Sequence, residues 1–321
     1  NTYTQPVKFD IAQVQSTLSL DSSLNMEGTN SAVFNGSDAY MTLPSDNTII
    51  STTGAFTLGT WIKPDTITLN PLINYGFEDG STTLDNAGSG GSTYDGTGSG
   101  TTTGVTGKVG SAWTFDGSND YVSTTESSGL NFQVGDSFTI STWFKTDQTS
   151  GGTFVNKWGT QNGSGNNGWL LLKDSGTTAS FRMSSDWGSG NAIRVIATNN
   201  AFSDDNWHHF VVTYSGGGHT GVKMYIDGAE ESTTANITGS VGAITYSLPL
   251  ELGAYSSTHS DNYDGELDQL MIFNTALSAD TISNIYNSGS GMTDPTQVTS
   301  TIISYPSSSG SVDFNIEGDD L

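Results

Sequence analysis

Many short segments of this chain alternate apolar and polar residues with a period of two, and clusters of Gly, Asn, Asp and Ser separate them. Such alternation is typical of β-strands with one buried side and one solvent-facing side. Short strands joined at turn signals such as Asp116-Gly117 and Asp227-Gly228 predict an all-β fold, an antiparallel two-sheet sandwich. The predicted strands are residues 111–115, 120–124, 138–145, 153–157, 168–172, 179–183, 207–214, 222–226, 250–252 and 267–273.

One segment has helical periodicity instead. Ile282, Ile285 and Tyr286 fall on one face of residues 279–286. Ser278 precedes this segment, and its hydroxyl can accept a hydrogen bond from the first free backbone amides. We therefore predict one short helix at residues 279–286.

A long polar stretch separates the first strands from the rest. Residues 85–107 consist almost wholly of Asp, Asn, Gly, Ser and Thr, and they show no apolar period. Such a composition predicts a long surface loop.

The chain contains an internal duplication. Residues 34–41 read Phe-Asn-Gly-Ser-Asp-Ala-Tyr-Met and residues 115–122 read Phe-Asp-Gly-Ser-Asn-Asp-Tyr-Val. Residues 56–63 and 138–145 match in the same way, and the distance from the first Phe to the Trp of the second block is 27 positions in one copy and 28 in the other. Two matched blocks at matched spacing indicate a repeat.

The first copy stops early, so the repeat is incomplete. We predict a partial repeat over residues 1–70, a complete domain over 71–290 and a C-terminal β tail over 291–321. A few strands alone leave sheet edges and an apolar face exposed. The partial repeat is therefore expected to pair with the C-terminal strands, with the whole domain or with a neighbouring subunit.

The net charge of the chain limits the kinds of molecule that it can bind. The chain has 33 acidic and 9 basic residues, a net charge of −24. This charge repels nucleic acids and anionic membranes, and no run of about 18 apolar residues is present to insert into a bilayer. The absence of cysteine excludes disulfides and thiolate chemistry. An extracellular protein of this kind is more typical of bacteria, archaea or their viruses than of animals.

Several ordered blocks carry a resemblance to a known family. They are Tyr75-Gly76-Phe77-Glu78-Asp79-Gly80, residues 106–117, residues 138–145, the Trp207-His208-His209 strand with residues 224–228, and residues 265–274 followed by the capped helix. In this order they resemble the concanavalin A-like, laminin-G-type jelly roll found in many bacterial and phage surface proteins. The resemblance implies two antiparallel sheets packed face to face over about two thirds of the chain, and it implies no single function.

The sequence lacks the second carboxylate that a glycoside hydrolase of this fold would need. Glycoside hydrolases on this sandwich resemble one another in a strand that carries two Glu residues and an Asp, and they need two carboxylates for acid and nucleophile. The nearest string here begins Glu266-Leu267-Asp268, but Leu270 and Met271 occupy the positions of the second Glu. We therefore predict no catalytic residues.

Other chemistry is no better supported. His208 and His209 are adjacent on a predicted strand and point to opposite sides, so they cannot jointly bind one metal ion. No serine lies in a nucleophile-elbow context, and Gly107-Lys108-Val109-Gly110 lacks the spacing of a phosphate loop.

Calcium is the favoured cofactor because it prefers carboxylate and carbonyl oxygens. The candidate ligands are Asp85 in the opening turn, Asp116 and Asp120 around an Asp-Gly turn, and Asp268 on the closing strand. In jelly rolls the opening and closing strands tend to lie close, which would bring Asp85 and Asp268 together. The alternative is that these residues only shape turns.

Glycan binding requires exposed aromatic rings beside polar groups. Trp61, Trp143 and Trp207 lie in apolar strand patterns and are expected in the core. The aromatic and histidine residues in Gly-, Asn- and Ser-rich stretches are the better candidates: Trp158, Trp187, Tyr255, His259 and Tyr263.

Together these features predict a non-enzymatic extracellular or virion-surface protein. The favoured role is structural or adhesive, as a phage or viral decoration, fibre or appendage component that also binds cell-surface glycans. A bacterial secreted adhesin, lectin or filament subunit is the alternative, and a glycan hydrolase or lyase is the second alternative. The expected partners are further copies of the chain or other surface or virion proteins, because an incomplete repeat favours assembly.

Overall fold

A computed structural model describes most of the chain from residue 69 to residue 292. Backbone and side chains are described for residues 69–125, 129–160, 166–174, 176, 178–198, 203–244, 248–256 and 258–292. The backbone alone is described for residues 19–21, 31–33, 66–68, 128 and 297–299.

The described residues form short strands, one α-helix and several 3-10 turns. The strands are β1 (Ser19–Asp21), β2 (Ser31–Val33), β3 (Thr66–Thr68), β4 (Ile73–Tyr75), β5 (Thr83–Leu84), β6 (Gly96–Ser99), β7 (Thr102–Thr106), β8 (Ser111–Asp116), β9 (Tyr121–Thr124), β10 (Phe138–Lys145), β11 (Gly152–Thr160), β12 (Asn166–Lys173), β13 (Ala179–Asp186), β14 (Asn191–Ala197), β15 (Trp207–Tyr214), β16 (Val222–Ile226), β17 (Ala229–Glu230), β18 (Thr233–Thr238), β19 (Glu251–Leu252), β20 (Asp264–Phe273) and β21 (Gln297–Thr299). The helix α1 is Ala279–Tyr286, and the 3-10 turns are Gly91–Tyr94, Ser128–Leu130, Trp187–Ser189, Gly218–Gly221 and Asn287–Gly289.

Two antiparallel sheets make the sandwich. The front sheet has eight strands in the order β17-β16-β15-β10-β20-β8-β7, with β4 also paired to β20. The back sheet has nine strands in the order β18-β14-β13-β12-β11-β19-β9-β6-β5. The predicted all-β sandwich is confirmed. In the described part of the chain, no helix has the length and apolar character needed to cross a bilayer.

The core lies between the sheets and is built from alternate residues of each strand. Phe138, Ile140 and Phe144 of β10 face it from the front, while Trp169 and Leu171 of β12 face it from the back. Aromatic rings fill much of this space, and Phe132 stacks on Phe138 at 4.2 Å between ring centroids. Burial of this apolar surface is the main term that stabilises the sandwich.

The predicted elements agree closely where the apolar pattern is strong. The bounds of β10, β15, β16 and α1 are those predicted from the sequence. The long loop predicted at residues 85–107 is wrong, because β6 and β7 lie within it and pair with β9 and β8. Burial is confirmed for Trp143, but Trp207 is only half-buried.

The chain divides into two compact units. One is Thr68–Val298, which contains the sandwich, and the other is Asn1–Ile67 with Thr299–Leu321. Within the second unit β1 and β2 form an antiparallel pair. Strands β3 and β21 form a separate two-stranded sheet. Phe34, Trp61 and the tail after residue 299 lie outside the described residues, so the partial repeat and its pairing stay predictions.

Helix α1 covers the outer face of the front sheet. Trp143 points away from the core on this face, and its ring stacks at 5.0 Å on His209 and at 5.6 Å on Tyr286 of α1. Lys108 Nζ also lies 4.7 Å from the Trp143 ring centroid, a cation–π contact. The front face is therefore closed by the helix and by the loop that carries Lys108.

Asp268 is buried beneath the same loop. It lies opposite Trp143 across the β10–β20 pair, and its Oδ2 accepts a hydrogen bond of 2.9 Å from the Val109 N–H. Burial raises the pKa of Asp268 to about 7, and the nearby Glu78 charge adds to the rise. The folded protein therefore holds this carboxyl protonated to higher pH than an unfolded chain does.

The cap of α1 gives a first prediction. The Ser278 hydroxyl accepts a 3.1 Å hydrogen bond from the Thr281 N–H. Ser278→Ala should lower the free energy of unfolding by about 1 kcal/mol, because that amide loses its partner. Ser283→Ala, on the exposed side of the same helix, is the control and should be neutral or slightly stabilising. Urea denaturation measures both, and equal effects would contradict the cap.

The buried carboxyl gives a second prediction. Because the folded pKa of Asp268 lies above its unfolded value, its contribution to stability is complete below about pH 4 and is lost as the pH rises through 7. Asp268→Asn keeps an acceptor for Val109 but cannot ionise. Its unfolding free energy should therefore rise relative to the parent by about 4 kcal/mol between pH 4 and pH 8, since each unit of the pKa difference corresponds to about 1.4 kcal/mol.

Urea denaturation at several pH values measures this difference. Asp147→Asn changes an exposed carboxyl and is the matched control, whose curve should run parallel to that of the parent. A parallel curve for Asp268→Asn as well would show that the carboxyl does not titrate in the folded state as described.

Candidate functional site

The outer face of the back sheet carries an aromatic cluster. Leu170 and Leu172 alternate with the core residues of β12 and therefore point outward, and Trp158 of β11 lies beside them. Trp187 and Tyr255 pack over these residues and are themselves half-buried. We call Trp158, Leu170, Leu172, Trp187 and Tyr255 the back-face cluster.

Trp187 sits on a short turn that directs it over Trp158. The two rings meet edge to face at 5.3 Å with an interplanar angle of 77°, an arrangement that aromatic pairs favour. Asp186 caps the turn, because its Oδ1 accepts the Ser189 N–H at 3.2 Å. Gly190 ends the turn with φ 76°, a left-handed conformation that suits glycine.

The loop over residues 253–262 brings Tyr255 to the cluster. A buried amide holds this loop, because Asn156 Nδ2 donates to the Ala254 carbonyl at 2.7 Å and Asn156 Oδ1 accepts the Ser256 N–H at 3.0 Å. Asn156 lies on β11, two residues before Trp158, so a single strand positions both parts of the cluster. Burial, together with the nearby Asp261 carboxylate, raises the pKa of Tyr255.

Charged groups border the cluster on β13 and β14. Arg182 Nη2 and Arg194 Nη2 each donate to Asp174 Oδ1 at 2.7 Å. The Arg182 guanidinium also lies 5.3 Å from the centroid of the Trp187 ring. Sequence reasoning missed these three residues, although the two arginines of the chain stand only twelve positions apart, at 182 and 194.

The structure brings together three of the five residues predicted to bind glycans: Trp158, Trp187 and Tyr255. His259 is exposed on the loop that carries Tyr255, where it stacks at 3.9 Å on Tyr121 and its Nε2 lies 3.2 Å from Glu251 Oε1. It therefore borders the same face of the sheet.

The prediction that Tyr263 binds glycans is wrong. Its ring is fully buried in the core, 5.3 Å from the Phe154 ring, and its hydroxyl donates to the Lys145 carbonyl at 2.9 Å. No surface ligand can reach this ring. The Asp, Asn and Gly residues around Tyr263 suggested a surface loop, but one aromatic residue in such a stretch can still point inward.

The structure does not gather the four aspartates predicted to bind calcium. Asp116 and Asp120 share one turn, where Asp116 Oδ1 accepts the Ser118 N–H at 2.9 Å and Asp120 Oδ2 accepts the Asp116 N–H at 3.0 Å. These are the hydrogen bonds of turns. Among the described residues, no three acidic or histidine side chains are grouped so that they could share a metal ion.

Asp85 and Asp268, which were expected to meet, follow or lie in strands of different sheets. The opening strand β4 does pair with the closing strand β20, as the resemblance implies. Asp85, however, follows β5, which belongs to the back sheet. Asp268 is buried in the front sheet, under the loop that carries Lys108 and Val109. A bound calcium ion itself stays a prediction.

The adjacent histidines face different surroundings, as predicted. His209 is buried, and its Nε2 lies 2.9 Å from the Ser141 hydroxyl oxygen. His208 is half-buried between carboxylates, with its Nδ1 2.9 Å from Asp227 Oδ2. The Ser141–His209 pair lies beneath α1 with essentially no exposed surface, so no substrate can approach it.

A shallow depression lies at one end of the sandwich. Its volume is about 480 Å³. It is lined by Gly129, Phe132, Gly135, Asp136, Ser137 and Asn274. Sequence reasoning did not single out these residues, which come from the loop before β10 and the end of β20.

Two solved structures superpose on part of this chain. The binding domain of botulinum neurotoxin DC, solved in complex with rat synaptotagmin II, superposes with a TM-score of 0.50 at 17% identity, over 68% of this chain and 51% of that one. The binding domain of Paraclostridial mosquitocidal protein 1 gives a TM-score of 0.49 at 19% identity, over 68% of this chain and 52% of that one. The chain thus corresponds to about half the length of these structures.

Comparison of sequences identifies the family. No curated protein matches the chain. A family model described as the concanavalin A-like lectin/glucanases superfamily matches residues 116–283, which is more than half of the 321 residues. The matched range runs from the end of β8 into α1 and includes Trp158, Trp187 and Tyr255. The chain belongs to the concanavalin A-like lectin/glucanases superfamily.

Proposed function

We propose that this protein is a non-enzymatic binding module that acts outside the cell or on a virion surface and binds saccharides on the back-face cluster. The observation that carries the proposal is the packing of two half-buried aromatic residues, Trp187 and Tyr255, beside the ion pair of Asp174 and Arg182. Sugar sites combine apolar ring faces with a few fixed polar groups.

The surroundings of the cluster favour a binding role. Its base is rigid, because Trp158, Leu170 and Leu172 are buried and Asn156 fixes the loop above them. A preorganised surface loses little conformational entropy when a ligand binds. On the front sheet, by contrast, α1 and the loop of Lys108 cover the outward-facing Trp143.

The enzymatic alternative is less favoured by the geometry of its best candidate residues. Glu266 Oε1 pairs with Lys145 Nζ at 3.5 Å, and Asp268 is buried beneath the loop that donates to it. A retaining or inverting glycosidase needs two carboxylates that both face the scissile bond. A buried acid and an ion-paired acid do not provide that arrangement.

The acidic surface suits a protein exposed to solvent rather than one that binds nucleic acid. A charge of −24 favours solubility and opposes polyanionic partners. A phage or viral surface component is the favoured setting, and a bacterial secreted adhesin, lectin or filament subunit is the alternative. Calcium, if bound, would be an addition to this surface and is testable by calorimetry with CaCl₂.

Glycan binding predicts a specific mutant phenotype. Trp187→Ala should weaken or abolish binding on a glycan array and lower the association constant by about tenfold or more, because an aromatic anchor at the centre of a site carries a large share of the binding energy. Trp187→Phe should retain part of the affinity, since it keeps a flat ring.

A matched variant separates the cluster from the depression at the end of the sandwich. Asn274→Ala changes an exposed residue that lines this depression and should leave binding unchanged. Loss of binding in Asn274→Ala but not in Trp187→Ala would move the site to the depression. Thermal unfolding of each variant checks that the fold is intact.

A further inference from the structure

The arginines of this chain are placed together. Only Arg182 and Arg194 occur in the 321 residues, among 9 basic residues in all. They lie directly opposite each other on the antiparallel strands β13 and β14. Like charges in directly opposed positions destabilise a sheet. In a chain with a net charge of −24 this concentration of positive charge stands out.

One carboxylate serves both guanidinium groups. Asp174 Oδ1 accepts both 2.7 Å hydrogen bonds, and no other described carboxylate forms an ion pair with either arginine. The described ion pairs thus set two guanidinium groups against a single carboxylate.

The three side chains also keep unused hydrogen-bonding capacity. Nε of Arg182, Nε of Arg194 and Oδ2 of Asp174 are buried atoms that have no hydrogen-bond partner among the described residues. A guanidinium carries five N–H donors, of which Asp174 engages one on each arginine. The side chains of Arg182 and Arg194 remain 16% and 23% exposed, so a ligand can reach their outer edges.

The arginine pair adjoins the aromatic part of the site. Arg182 lies 5.3 Å from the centroid of the Trp187 ring, and its charge, with that of Asp174, also acts on the Tyr255 hydroxyl. A pyranose in contact with Trp187 or Tyr255 would thus lie next to the guanidinium groups. Arginine recognises carboxylates through paired, charge-assisted hydrogen bonds.

We infer that the back-face cluster selects saccharides that carry a carboxylate, with the aromatic residues contacting the pyranose ring and Arg182 and Arg194 binding the acid group. The inference rests on the proposed saccharide-binding function and narrows its ligand class. A uronic acid and a sialic acid both present this chemistry. Asp174 holds the two guanidinium groups side by side so that both face the same ligand.

A purely structural clamp is the competing explanation. In that case Asp174 and the arginines would only tie the β12–β13 turn to β14. Removal of Arg194 would then lower stability without changing the preference among saccharides. The ratio of affinities for acidic and neutral ligands therefore separates the two explanations, whereas a melting temperature does not.

The experiment compares matched saccharides by isothermal titration calorimetry at about 0.15 M salt, where long-range repulsion is screened. Trigalacturonic acid and galactotriose differ in the carboxylate at C6, and sialyllactose and lactose differ in the sialic acid. These two arms distinguish a uronic acid from a sialic acid. The parent protein should bind at least one acidic saccharide about tenfold more tightly than its neutral counterpart.

Three variants test the role of Arg194. Arg194→Gln should lower the affinity for the acidic saccharide by about tenfold, as expected for a lost charged hydrogen bond, and leave the neutral one unchanged. Arg194→Lys should restore part of the difference. Lys223→Gln removes one charge from an exposed pair with Glu230 and should leave both affinities unchanged.

Each outcome decides between the hypotheses. If neutral and acidic saccharides bind equally, or if Arg194→Gln behaves like Lys223→Gln, the carboxylate selection is wrong while the saccharide-binding function stands. If no saccharide of either arm binds the parent protein, both the function and the selection are wrong for this surface. Loss of neutral and acidic binding alike in Arg194→Gln, with an unchanged melting temperature, would also contradict the selection.

Discussion

Each sheet of the sandwich buries one face in the core, and its other face must either be covered or lie in contact with solvent. On the front sheet, α1 and the loop of Lys108 cover Trp143, whose ring contacts those of His209 and Tyr286. The back sheet places a smaller aromatic group on its outer face and leaves it half covered. The position of the candidate site follows from this difference.

The half-covered face is held in place by polar groups rather than by a second layer. The Asn156 amide fixes the loop of Tyr255 through hydrogen bonds that are buried and therefore costly to lose. Asp174 draws two arginines together on neighbouring strands. Both arrangements leave ring faces and N–H groups accessible at one place, which is what recognition of a polar ligand requires.

The sequence was most informative where burial alone determines structure. The runs of apolar and β-branched residues in β10 and β15 and the serine cap of α1 are local signals, and they predicted the bounds of these elements. β6 and β7 gave no such signal, because Gly- and Thr-rich strands near the end of a sheet need few apolar residues. Their pairing with β9 and β8 depends on contacts that are remote in sequence.

The site was only partly predictable, because it too depends on contacts between residues that are remote in sequence. Trp158, Trp187 and Tyr255 could be chosen by composition, since aromatic residues in polar stretches often lie at a surface. Composition does not show whether a side chain points inward or outward, and for this reason Tyr263 was wrongly predicted to lie at the surface. The arginine pair depends on the register of β13 and β14, and a shift of one residue would send the two side chains to opposite faces.

The net negative charge of the protein affects which ligands can reach the site. An overall charge of −24 repels anions at a distance, so any anionic ligand must be held by local contacts at short range. In the proposed site the arginine pair supplies such contacts, and the acidic charge of the rest of the chain opposes non-specific binding of polyanions.

We propose that ligands bind on the outer face of the back sheet. Indole N–H signals of the tryptophans report on it directly in ¹⁵N-labelled protein titrated with trigalacturonic acid, sialyllactose, lactose and galactotriose. If ligands bind there, the Trp187 signal shifts with at least one of these saccharides, while the signals of the buried Trp113, Trp143 and Trp169 stay in place. Shifts confined to Trp143, or no shift of Trp187 with any of the four saccharides, would contradict it.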